Sequence, residues 1–124
     1  MGLLDTLMGH AGEKDIADLQ DEFGPLLASG EALQRAFGFV RDLIVFTDRR
    51  MVIVDKQGMT GKKTRYLSIP YRAIVMYSVE TAGHFDLDSD LSIWVSGQAE
   101  PITRALGRGT GARDIVAILA QATR

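Results

Sequence analysis

A chain of 124 residues, 46% of them hydrophobic and 24% charged, has the make-up of one soluble globular domain rather than of a disordered segment. Its 14 basic and 16 acidic residues leave a formal net charge of −2, which argues against non-specific nucleic-acid binding, since that rests on a basic surface. The absence of cysteine excludes disulfides, thiolate chemistry and cysteine-ligated zinc together; it fits a reducing compartment, and the chain reads as cytoplasmic.

The opening residues, MGLLDTLMGH, carry neither the basic nor the long apolar region of a cleaved signal peptide. No apolar run approaches the roughly 20 residues of a membrane-spanning helix. Leu3, Leu4, Leu7 and Met8 recur at helical spacing until Gly9 and Gly12 break the run. Gly2 and Thr6 meet the loose M-G-x-x-x-[ST] pattern of N-myristoylation, but an amphipathic turn accounts for the same residues more simply. A second helix is expected in EKDIADLQDEFGPLL, where Ile16, Leu19 and Phe23 share a face and Gly24-Pro25 ends it. Residues 1–30 therefore read as a helical N-terminal arm. Its helices are too short to stand alone and must dock on the domain or on a neighbouring chain.

From Leu33 the period changes from 3.6 to 2. LQRAFGFV, LIVFT, RMVIVD, TRYLSIP, AIVMYSVET, LSIWVSG and PITRAL are rich in β-branched and aromatic residues. Turn chemistry separates them: RD, DR, DKQGMTGKK, PYR, AGHFDLDSD and QAEP. Seven strands with short links form an antiparallel meander that has to close or stack to hide its apolar face. After GRGTG, Ile115, Ile118, Leu119 and Ala122 mark an amphipathic helix over about residues 110–123, with Thr110 as its N-cap. The expected fold is mainly β: a seven-stranded antiparallel, partly open barrel of two sheets over residues 31–124, capped by the C-terminal helix. With the arm it makes one domain overall.

The stretch QGMTGKKT invites a phosphate-loop reading, which fails. Only Met59 and Thr60 separate its glycines, a second lysine follows Lys62, and the next residues alternate like a strand instead of starting a helix. Gly58 and Gly61 instead serve a tight link between strands, and Lys56, Lys62 and Lys63 form a small basic knuckle there. GRGTG lacks the spacing and the βαβ setting of a dinucleotide loop. Asp86, Asp88 and Asp90 begin like a calcium loop, but Leu91 and Gly97 occupy the positions that need glycine and glutamate. His10 and His84 stand without the partners of a metal site. No serine has a nucleophile-elbow setting. The reading is of a protein that is not an enzyme, with no catalytic residue, metal or cofactor.

Three longer motifs carry a resemblance. VDKQG-x-TGKK, SIPY and SVETAG-x-FDLD, within a match running from about FGPLL to the C-terminal helix, closely resemble the bacterial pleckstrin-homology (PH) domain family, single-domain proteins largely of unknown function. That resemblance implies two antiparallel sheets of seven strands with a C-terminal helix. It further implies a cyclic homo-oligomer, a pentameric ring for single-domain chains, with a shared hydrophilic surface for a protein partner. The residues assigned to that surface are Arg41, Asp42, Lys56, Lys62, Lys63, Glu80 and Thr81, all polar positions of the motifs at turns or strand ends. Tyr66, Tyr71, Tyr77 and Trp94 are partner anchors or sheet packing. Phosphoinositide binding is not implied, because only Arg41-Asp42 is left for the loop between the first two strands. The alternative is peripheral binding to an anionic membrane through Lys56, Lys62 and Lys63 with Leu3, Leu4, Leu7 and Met8.

Overall fold

Leu43–Phe46 and Met51–Val54 are apolar at every position, which a strand tolerates only when both of its faces are covered. In the computed structural model, which describes residues 12–39, 42–57, 63–83, 88–107 and 111–123, these runs are interior strands of a five-stranded antiparallel sheet. Its order is β1 (Gly12–Lys14), β2 (Leu33–Gly38), β3 (Asp42–Thr47), β4 (Arg50–Gln57) and β5 (Lys63–Pro70). Phe37, Ile44, Phe46, Met51 and Ile53 face the main core. Ala36, Leu43, Val45, Val52 and Val54 face the other way and are buried as well.

What buries that outer face is helix α1 (Ile16–Phe23). Asp15 caps it, accepting a hydrogen bond from the Ala17 amide at 3.0 Å. Gly24-Pro25 then turns the chain into one 3-10 turn, Gly24–Leu26. Leu19 and Phe23 pack on the outer residues of the sheet, and the Phe23 ring meets Tyr66 edge-on at 6.1 Å. Burial of each such side chain contributes roughly 1.5–3 kcal/mol. From Gly12 onward the stretch expected as an arm is therefore part of the domain. Gly12 does not merely break a helix; it opens β1, which pairs with β2. Leu3, Leu4, Leu7 and Met8 lie outside the described residues.

A 3-10 turn, Tyr71–Ala73, leads to the second sheet. It has three strands in sequence order: β6 (Ile74–Thr81), β7 (Ser89–Val95) and β8 (Ile102–Leu106). A register shift between Ile74 and Met76 lets Ile74, Tyr77 and Val79 all reach the core, beside Leu91, Ile93, Ile102 and Leu106. Helix α2 (Ala112–Ala122) adds Ala112, Ile115 and Leu119, with Ile118 and Ala122 at the margin. Gly111, with φ at +82°, occupies its N-cap, and a Cβ there would lie 2.8 Å from the Phe37 ring. Thr110, the expected cap, is outside the described residues. The seven expected strands and the helix are all present, with β1 in addition. The sheets stack around the core rather than closing into a barrel, so β1 and β5 edge one sheet while β6 and β8 edge the other.

Candidate functional site

Of the residues expected to meet a partner, Asp42 and Lys63 lie at one end of the five-stranded sheet, and Glu80 and Thr81 at the end of β6 in the other. Arg41 and Lys62 lie outside the described residues, and of Lys56 only the backbone, in β4, is described. Lys63 is exposed opposite Gln57. Glu80 is exposed opposite Asp90, and Thr81 is half-buried opposite Ser89. Asp42 turns inward. It sits opposite Asp55, and Arg104 of β8 reaches both carboxylates, at 3.6 Å and 2.9 Å. This clasp ties the two sheets together and offsets the repulsion of facing carboxylates. The Asp55 Oδ1 atom is buried with no hydrogen-bond partner among the described residues. Of the four aromatic candidates, Tyr71 is buried, Tyr77 and Trp94 are half-buried and Tyr66 is exposed.

A second constellation occupies the opposite end, where the β3–β4 turn meets the turn after β5. Its centre is Glu31, whose side chain is 2% exposed. Burial opposes ionisation of this carboxylate. Hydrogen bonds from Arg50 Nε (2.9 Å), Thr47 Oγ1 (2.7 Å) and the Ala28 amide (2.9 Å) more than offset that, and its pKa falls to about 2. The Thr47 hydroxyl also accepts from the amides of Arg49 and Arg50, both at 3.0 Å. Arg50 spans the group, donating onward to the Leu26 carbonyl (2.7 Å) and Ser68 Oγ (3.0 Å). Tyr71 donates its hydroxyl to the Thr47 carbonyl at 2.6 Å. Burial first, and the Asp48 and Glu31 carboxylates second, raise its pKa well above the ordinary phenol value. Tyr71 is thus held as a donor to the Thr47 carbonyl.

Around this frame opens a cleft of about 1020 Å³ lined by Leu26, Leu27, Arg49, Arg72, Ile74 and the end of α2, among others. In sequence, DR and PYR are turn punctuation and do not announce a cleft. The available signal was an arginine in each of two turns. Among the described residues no group of three histidine, cysteine, aspartate or glutamate side chains is placed to hold a metal. No helix among them is long and apolar enough to cross a membrane.

Comparison with known proteins decides the family. The bacterial PH domain family matches residues 2–123. The chain belongs to that family. This bacterial PH domain is 50% identical over 121 residues to the uncharacterised YjqA of Bacillus subtilis, covering 97% of each chain. Its structure superimposes on a pleckstrin homology domain of Shewanella amazonensis with a TM-score of 0.82, at 50% identity over 99% of both chains. A DUF1696 family protein with a pleckstrin-homology domain from Shewanella loihica gives 0.81 at 42% identity, over 94% of this chain and 99% of that one. A PH-domain-containing protein of Exiguobacterium sibiricum, at 18% identity and a TM-score of 0.64, shares the fold. In this PH domain the link between β2 and β3 is closed tightly, the Phe39 amide donating to the Asp42 carbonyl at 2.7 Å.

Proposed function

We propose that this PH domain is a non-catalytic, cytoplasmic interaction module that assembles into a cyclic homo-oligomer and presents a repeated polar surface to protein partners. The observation that carries this reading is the unfinished second sheet. Among the described residues strand β6 is an open edge, and at its start Val75 and Met76 are 67% and 52% exposed. An edge strand left with unpaired amides and apolar side chains invites association. A rotation that closes on itself buries such an edge on every protomer and leaves no free template at the ends. The outer face of the same sheet carries Ser78, Glu80, Asp90, Ser92 and Thr103, a polar surface that a ring would repeat. Repetition turns weak single contacts into useful avidity.

The test is the solution mass by light scattering coupled to size exclusion, at physiological salt and low micromolar concentration. An integer multiple of 13.6 kDa is expected, fivefold for a pentamer, and Val75→Glu with Met76→Glu should reduce it to the protomer. A monomer of unaltered sequence would overturn the assembly.

A further inference from the structure

We infer that the cleft around Arg49 and Arg72 is a docking site for an extended segment of a partner protein in which carboxylates alternate with large apolar side chains. The inference rests on the reading of the chain as a protein-interaction module, but not on the ring.

The cleft is built before any ligand arrives. Glu31, Arg50 and Thr47 lock the segment after α1 onto the β3–β4 turn. Tyr71 joins that turn to the one after β5, through its hydroxyl on Thr47 and its amide on the Arg49 carbonyl. Arg49 and Arg72 therefore project from fixed backbone, which lowers the entropy lost on engaging a ligand. Their charges are available. Arg49 donates to the Ser29 carbonyl at 3.1 Å, and neither arginine has a carboxylate partner among the described residues. Most of their fork-shaped donors remain for the two-pronged recognition of carboxylate at which arginine excels.

Charge and shape select the occupant. Across the lining, Arg49, Arg50 and Arg72 face Glu31 and Asp48, so the cleft is positive by one charge in a chain that is negative overall. One excess charge is little to hold a polyanion or an anionic bilayer, where each basic residue adds only about 1 kcal/mol. Apolar surface supplies the rest. Leu26, 50% exposed, lines the cleft together with the half-buried Leu27 and Ala122. Alternating side chains of an extended peptide point to opposite sides, so one set can sit on this apolar surface while the other reaches the arginines. A volume of about 1020 Å³ holds several side chains, far more than a lone anion occupies.

Fluorescence anisotropy of the full chain with a labelled peptide alternating leucine and glutamate tests this, at physiological salt. Saturable binding is expected, weaker by about tenfold or more for a leucine–serine peptide and for the Arg49→Glu, Arg72→Glu double variant. Both arginines are exposed, so the variant should keep its fold, which circular dichroism checks; Leu26→Ser gives an uncharged second variant with the same expected direction. No saturable binding, equal binding by the double variant, or equal binding of the serine peptide would overturn the site. So would displacement by millimolar inorganic phosphate, or binding only to phosphatidylserine vesicles. Light scattering on the same samples separates the two readings: binding by a monomer removes the ring alone, and a ring that ignores the peptide removes the cleft alone.

Discussion

The five-stranded sheet is buried on both faces, by the main core within and by α1 without, whereas the three-stranded sheet has a core on one face and solvent on the other. The same strand chemistry built both. In β3 and β4 neither face is left for anything outside the domain, and the sheet's interior strands are committed to stability. In β6 and β7 every second residue is spare. Met76, Ser78, Glu80, Asp90, Ser92 and Trp94 can vary without opening the core. If the domain assembles as proposed, its interior strands serve folding and the open edge of the second sheet serves assembly.

The sharpest way to break that division is to remove the cover. Phe23→Ala should cost about 3–5 kcal/mol in urea unfolding, through lost burial and the cavity left behind. Trp94→Ala, on the solvent face of the second sheet, should cost no more than about 1.5 kcal/mol, and equal losses would erase the distinction. Next comes the link between sheets. Arg104→Ala leaves Asp42 and Asp55 opposed across β3 and β4 and should cost about 2–3 kcal/mol. An unchanged unfolding midpoint would mean the sheets do not depend on the clasp.

Acid should act on one sheet first. The pKa of Glu31 is lowered from 4.5 to about 2, so its contribution is complete above the unfolded value and lost as pH falls from about 5 towards 2. With solvent screening at the cleft mouth this amounts to about 1–2 kcal/mol. Hydrogen exchange at pH 3 should show the β3–β4 turn loosening, and Glu31→Gln should flatten that part of the pH profile. Smallest of all, Val75→Ser with Met76→Ser should change protomer stability by less than about 0.5 kcal/mol. The solution mass should nevertheless drop. A large stability loss would place those side chains inside the protomer's own packing.

Most of the fold was legible because period 2 is a local signal. LSIWV announces a strand with Leu91 and Ile93 inside and Trp94 outside, whatever its neighbours. Strand β1 was not legible, because Gly12, Glu13 and Lys14 have no pattern of their own; pairing with β2 and the 2.8 Å Arg35–Glu13 bridge make it a strand. The docking of α1 was half-visible. Unbroken runs such as LIVF need a second cover, and Ile16, Leu19 and Phe23 offer an apolar stripe nearby. The cleft lay beyond local reading altogether. Turn chemistry says that Asp48-Arg49 and Tyr71-Arg72 bend the chain, and the bonds from Tyr71 to the Thr47 and Arg49 carbonyls show that the bends meet. Glu31 looked like any polar loop residue because its burial depends on strands far along the chain.

Helix α2 bears on how the molecule is made. It follows all eight strands of the described residues, and its seat requires Gly111 to lie against Phe37, in the first long strand. During vectorial synthesis the two sheets can hairpin as they emerge, yet the core that holds Phe46, Ile53, Leu91 and Ile93 is incomplete until Ile115 and Leu119 arrive. The core thus closes late, on a contact of long sequence separation, which slows folding and prolongs the life of open-faced intermediates. A nascent chain that has made its strands but not yet α2 therefore keeps one side of its apolar core open to solvent.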